Sequence, residues 1–277
     1  MQVISRVVHV PRSEEAERLS TAEIRSNFLI EHLFGPGELH VAYVDLDRML
    51  VGGVAPTQEV SLPAYRDFGT RYFTERRELG ILNVGAPAAV AVGNQEYALD
   101  KLDCLYVGIA EQHVAFLPGP SGQSLFYFLS CPAHYKYPTA KVARHEVASV
   151  EVGDELHASK RCIRKCIHPG GLRSCQLVMG FTEVAQGSVW NTMAPHTHSR
   201  RTEVYFYFDL EREIAIHLMG RGECTRSLIV RDKQAVISPG WSLHGAAGTR
   251  NYKFVWGMAG ENQEFDDMDP IAVQDLY

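Results

Sequence analysis

From about Gly35 onward the chain is a succession of short apolar runs, three to eight residues long, each closed by turn residues. Val41 to Leu46, Met49 to Val54, Gly80 to Val84, Ala88 to Val92, Leu105 to Val107 and Phe126 to Leu129 make up a first series. Gln176 to Phe181, Glu203 to Leu210, Ile214 to Leu218, Leu228 to Val230, Ala235 to Ile237 and Tyr252 to Trp256 make up a second. Runs this short cannot carry a helical core, and their regular punctuation predicts a mainly β chain of sandwich or jelly-roll type. One helix precedes them. Ser20 to Glu23 has the form of a capping box, and Ile24, Phe28 and Leu29 follow at helical spacing until Gly35-Pro36-Gly37 stops the pattern.

Between about Pro132 and Lys165 the composition turns polar and charged, which reads as a connection between two domains, residues 1–150 and 151–277. The two series look like copies of one unit. Arg76 to Leu79 resembles the stretch around Arg201 to Val204, and Leu105 to Gly108 followed by His113 resembles Ile237 to Pro239 followed by His244. Setting Glu78 on Glu203 without gaps puts Arg71 and Phe73 where His196 and His198 stand, so the first copy is expected to hold no metal.

With 277 residues, 45% hydrophobic and 22% charged, the chain can bury a large core without disulfides or a structural metal. A net charge of −6 with no long basic block argues against nucleic acid and anionic membrane. The first 18 residues lack the apolar stretch of a secretory signal, and no segment approaches the length of a membrane span. The six cysteines are scattered, and only Cys162 and Cys166 are close. Free thiols in a reducing cytoplasm fit this better than a disulfide framework.

The chemistry concentrates in Pro195-His196-Thr197-His198-Ser199-Arg200-Arg201-Thr202-Glu203. Histidines at i and i+2 on extended chain point to one side. Glu203 lies an odd step beyond His198, so a turn over Ser199 to Thr202 is needed to bring its carboxylate to the same side. His244, just past Pro239-Gly240, is the fourth candidate ligand. Paired histidines on a strand are often surface or packed polar residues; the glutamate and the distant histidine tip the balance toward a metal. Three imidazoles and one carboxylate suit zinc, iron, manganese or nickel.

This order, a glycine (Gly187), His-x-His, a glutamate and then a histidine after a Pro/Gly turn, resembles the cupins, with the departure that Gly240 follows Pro239 directly. Arg48 to Val54 (RMLVGGV), Glu75 to Gly80 (ERRELG), Trp190 to Met193 (WNTM), Glu203 to Phe208 (EVYFYF), Ala235 to Pro239 (AVISP) and Trp256 to Asp269 (WGMAGENQEFDDMD) resemble the 5-keto-4-deoxyuronate isomerase family over essentially the whole length. The resemblance implies a duplicated cupin and one zinc ion per chain, held by His196, His198, Glu203 and His244. It also implies a cytoplasmic, hexameric bacterial enzyme of pectin and uronate breakdown. The implied reaction interconverts 5-dehydro-4-deoxy-D-glucuronate and 3-deoxy-D-glycero-2,5-hexodiulosonate.

Several assignments stay open. Tyr207, Lys165 and the tail carboxylates are all available to move the proton, and no catalytic residue is singled out outside the four ligands. Arg200, Arg201, Arg161 and Arg164 are candidates for the substrate carboxylate. Val204, Phe206 and Phe208 form an apolar row opposite Tyr205 and Tyr207, expected to pack against a partner domain or subunit of a homo-oligomer. The acidic tail reads as a solvated face, His113 as the mark of a lost site, and His217 carries no assigned role. Rival classes with the same ligand set are an oxygen-activating iron cupin (a dioxygenase) and a non-catalytic sugar-binding bicupin.

Overall fold

The computed structural model describes residues 2–65 and 68–277. The chain divides into two compact units, and the division is not a single cut. The first takes the N-terminal residues through Val7, His32–Val147 and Cys166–Val178; the second takes Val8–Glu31, Ala148–Lys165 and Met179–Tyr277. The reason is pairing. Leu29–Ile30 hydrogen-bonds to Val236 and Ala235, which ties the N-terminal helix to the second unit.

In the first unit a seven-stranded sheet runs in the order Gln2–Val8, Glu38–Val44, Leu50–Val54, Phe126–Pro132, Arg77–Asn83, Cys104–Val107, Ala140–Val142. A four-stranded sheet runs Val60–Ser61, Val114–Leu117, Ala88–Val92, Gln95–Leu99. Alternate residues of the large sheet (Leu39, Val41, Leu79, Ile81, Leu105, Val107, Phe126, Phe128) meet Val60, Val90, Val92, Val114 and Phe116 of the small one in one buried core. Each buried branched or aromatic side chain of this kind contributes about 1.5–3 kcal/mol before chain entropy is subtracted. One glycine of the RMLVGGV run has its reason in this core: a Cβ on Gly52 would lie 2.1 Å from the Phe128 ring.

The second unit repeats the plan. Its seven-stranded sheet runs Ser149–Val152, Arg161–Ile167, Val178–Val184, Lys253–Gly260, Arg201–Phe208, Gln234–Ser238, Leu29–Ile30, and its smaller sheet Cys224–Val230, Ala215–Arg221, Gly245–Gly248. The helix forms at Thr21–Phe28 with Ser20 and Glu23 capping each other, and it buries Ile24 and Phe28. The polar stretch read as a connection does more than connect. Ala140–Val142 and Ser149–Val152 are strands at sheet edges, where exposed polar side chains are tolerated and the apolar alternation fades, and Arg161–Ile167 lies next to the edge, paired with Ser149–Val152.

Val204, Phe206 and Phe208 are fully buried within the single chain. The apolar row is therefore already covered and leaves no free surface for a second subunit.

Register corrects the match between the two copies. Glu203 pairs across to Ser238 and Met258, and the residue with the corresponding partners in the first unit is Leu79, opposite Val107 and Ser130. Leu79 faces the core of its unit and Glu78 faces the other way. A one-residue shift reverses every side chain of a strand, so Arg77, not Glu78, matches Arg201, and Tyr72 and Thr74 stand in the places of His196 and His198. Counted from the paired positions, His113 lies six residues after Val107 as His244 lies six after Ser238. Alone of the four ligand positions, it keeps a histidine.

Candidate metal centre

The turn expected after His198 forms at Ser199–Arg200, and the next strand starts at Arg201. His196 pairs with His244 through an antiparallel bridge, with the His244 N–H donating to the His196 carbonyl at 3.1 Å. Glu203 points inward from its strand. The four side chains expected to meet do meet, with one donor atom from each lying within 4.8 Å of the others.

The distances test whether a cation belongs there. Nε2 of His196 is 3.2 Å from Nε2 of His198 and 3.1 Å from Nε2 of His244. Glu203 Oε2 is 3.1 Å from His198 Nε2 and 3.0 Å from His244 Nε2, without a hydrogen bond's alignment. Neighbouring ligands of one ion, each at about 2.0–2.2 Å from it, stand about 3.0–3.4 Å apart. Protons alone cannot satisfy lone pairs converging in this way, and a divalent cation fits the set.

The surrounding groups hold the rings. His198 Nδ1 lies 2.9 Å from both the Asp267 carbonyl and Arg201 Nη2; in the tautomer that donates from Nδ1 to that carbonyl, the Nε2 lone pair faces the cluster. Ser238 Oγ holds His244 Nδ1 at 3.0 Å. Orienting partners of this type fix the tautomer and raise ligand basicity. Burial and the neighbouring His244 ring push the His196 imidazole down to about 3, so it stays neutral. Burial would raise the Glu203 carboxyl, but His244 and His198 outweigh it and hold it below the ordinary range.

His196, His198 and Glu203 of the cluster lie in the wall of a cavity of about 350 Å³. Tyr205, Phe254, Trp256, Met258, Phe265 and Met268 give it an apolar and aromatic lining, and Arg161, Asn191, Thr192 and Asp266 add polar groups. Of the groups weighed for moving the proton, the tail places Asp266 in the wall. Tyr207 is turned away, its hydroxyl 2.6 Å from His217 Nδ1. Lys165 lies over the Phe265 ring at 3.7 Å.

The acidic tail is not a free solvated face. Arg200 Nε donates to both Asp267 oxygens at 2.9 and 2.8 Å, and buried Arg201 donates to the Glu264 and Asp267 carbonyls at 2.6 Å each. Asp269–Pro270 pairs with His196–Thr197. The hydrogen bond to Arg200 holds the Asp267 carboxyl below its usual range. The two arginines after the histidines thus strap the tail over the cavity.

Residue reading missed His217. It is fully buried, its ring lies 5.7 Å from that of Tyr205, and its Nε2 has no hydrogen-bond partner among the described residues. Burial first, and His244 second, push it down to about 3. Its alternation with buried Ala215 and Met219 was the available signal.

Two β-sandwich units, one with a His₃Glu cluster beside a cavity, define a bicupin with one candidate metal centre among the described residues. The chain belongs to the KduI/IolB family, whose profile matches residues 37–273. It is 53% identical over 268 residues to the 4-deoxy-L-threo-5-hexosulose-uronate ketol-isomerase of Opitutus terrae, covering 96% of this chain and 97% of that one. The protein of the same name from Bacillus subtilis is 46% identical over 265 residues, with 95% and 96% covered. Among solved structures, the IolB-like protein of Salmonella typhimurium aligns with a TM-score of 0.65 at 14% identity, covering 80% of this chain and 86% of that one. Oxalate decarboxylase of Lactobacillus farciminis aligns at 0.55 and 9%, covering 81% and 78%. These two likenesses bear on the fold alone. Among the described residues no helix is long and apolar enough to cross a membrane.

Proposed function

We propose that this chain is a ketol-isomerase that interconverts 4-deoxy-L-threo-5-hexosulose uronate and 3-deoxy-D-glycero-2,5-hexodiulosonate in uronate catabolism. The observation that carries the reading is the 53% identity to the Opitutus terrae ketol-isomerase over nearly the full length of both chains. In our reading one zinc ion per chain is held by His196, His198, Glu203 and His244 in the second unit, and the first unit holds none. When bound, the ion supplies Lewis acidity that stabilises negative charge developing on substrate oxygens.

The isomerisation moves one hydrogen from C2 to C1 while the aldehyde at C1 becomes an alcohol and the hydroxyl at C2 becomes a ketone. No electrons enter or leave. The protein's task is to hold C1 and C2 beside the cluster and to keep bulk water from the charged intermediate. Trp256, Phe254 and Phe265 in the cavity wall serve the second purpose. The Asp267 carbonyl and Ser238 hold the two buried imidazoles still while charge develops beside them.

The family resemblance supports a homo-oligomer, a hexamer, acting in the cytoplasm; a stable, active monomer in light scattering would refute the assembly. The reaction is tested by turnover of the hexosulose uronate under argon with a defined zinc load, followed by deuterium uptake from heavy water at the new hydroxymethyl carbon. Oxygen-independent turnover is expected. Activity that needed dioxygen or iron would move the chain to the oxygen-activating cupins, and metal-bound protein with no turnover would make it a sugar-binding bicupin.

A further inference from the structure

A uronate presents two chemically distinct ends, and the cavity has two distinct polar regions. The His₃Glu cluster is one. The other is Arg161, on the strand Arg161–Ile167, which lines the same cavity and is half-buried. Its Nη1 donates to the Ser159 carbonyl at 2.8 Å, which directs the guanidinium without neutralising it.

The other three candidate arginines are spoken for. Arg200 grips Asp267 and Asp269. Arg201 is sealed beneath the tail carbonyls. Arg164 Nε lies 3.5 Å from Glu183. Arg161 has no carboxylate partner among the described residues. Burial presses its guanidinium below the ordinary value, with only the phenols of Tyr205 and Tyr252 to offset it. A half-buried cation left uncompensated costs stability unless a ligand supplies the anion. Tyr205 links the two regions: it lines the cavity near Arg161, and its ring lies 5.2 Å from that of His244. The one carboxylate in the wall besides Glu203, that of Asp266, is exposed and therefore hydrated, so it does not fill the role of a counter-ion.

We infer that Arg161 receives the carboxylate of the sugar acid and so sets which end of the chain meets the cluster. This inference rests on the ketol-isomerase reading for its substrate, but its ligand chemistry, a sugar carboxylate, can be tested apart from turnover. A planar guanidinium suits that partner because it can donate two parallel hydrogen bonds and fix orientation as well as charge. It also gives the cavity a means of preferring uronates to neutral sugars of the same length.

The experiment uses zinc-loaded, full-length protein with Arg161→Ala, Arg161→Gln and Arg161→Lys. Calorimetric binding of D-glucuronate is set against D-glucose, and KM and kcat are measured on the hexosulose uronate. Losing one charge-assisted contact should raise the D-glucuronate Kd and the KM about 10- to 100-fold. D-Glucose binding and zinc content should be unchanged, with kcat moving much less than KM. Arg161→Lys should fall between, because it keeps the charge and loses the fork. Added guanidinium ion should restore part of the affinity of Arg161→Ala and none of that of wild type, which a merely structural residue would not show. Unchanged D-glucuronate affinity in a zinc-replete Arg161→Ala protein overturns the inference, as does wild-type protein that prefers D-glucose. Should wild type bind D-glucuronate through Arg161 yet fail to isomerise the hexosulose uronate, the reaction assignment falls and the carboxylate site stands.

Discussion

Among the described residues Glu78 and Glu203 are buried glutamates, and replacing each with glutamine should have different consequences. Glu78 accepts from the backbone N–H groups of Cys175, Gln176 and Leu177 and from the Tyr106 hydroxyl, each at 2.7 Å. In Glu78→Gln the oxygen can keep Gln176 and Leu177, and Tyr106 can rotate to accept from the new NH₂. The Cys175 N–H then faces a donor. Weakening two charge-assisted bonds and orphaning one buried amide costs about 2–5 kcal/mol. Glu203 has no aligned donor on Oε2 and converges with three imidazoles, so Glu203→Gln should remove most of the bound metal. Urea unfolding of the apo proteins, read at the first transition, gives the stability arm, and elemental analysis gives the metal arm. A Glu78→Gln shift below about 0.5 kcal/mol, or a Glu203→Gln protein that keeps its full metal load, would refute the assignment of roles.

A Cβ on Gly240 would lie 2.9 Å from the His198 carbonyl and 3.1 Å from that of Ser199, so Gly240→Ala should displace the ligand loop and weaken metal affinity about 10- to 100-fold, measured by chelator competition; unchanged affinity would show that the loop yields freely. In the apo protein, His196 and His217 stay neutral to about 3 while unfolded imidazoles protonate near 6.5, so the unfolded chain binds more protons between those values. Stability should therefore fall with acidification through that window, by at most about 1.4 kcal/mol per pH unit for each histidine, and a urea midpoint flat from about pH 7 to pH 5 would contradict it. Zinc at about 1,000 times its Kd should stabilise wild type by about 4 kcal/mol, and His196→Ala plus His198→Ala should abolish the shift in thermal melts.

Much of this was legible because the cues are local. The grouping of His196, His198 and Glu203, the Ser20 cap and most strands follow from short-range spacing that the fold preserves. What failed to show depends on pairing at a distance. Placing Glu78 opposite its true face needed the Leu79–Val107 register, which no letter match supplies. The membership of Thr21–Phe28 in the second unit rests on Leu29 meeting Val236 more than two hundred residues later. The choice of Arg161 among four arginines required knowing that Asp267, Asp269 and Glu183 occupy others. Edge strands such as Ser149–Val152 were hidden because exposed edges carry no apolar alternation.

The amides that Glu78 accepts also set a timetable. All barrel strands of the first unit have been synthesised by Val142, yet the segment that satisfies its buried carboxylate arrives only with Cys175–Leu177. A nascent chain released into solution at residue 150 would enclose a charge with its three backbone donors still unmade. Vectorial synthesis therefore cannot finish the first unit before it starts the second. A ribosome stalled between residues 150 and 165 should display a protease-sensitive first unit, and one stalled well past 178 a resistant one. The same dependence means that no single cleavage of this chain yields two self-sufficient halves.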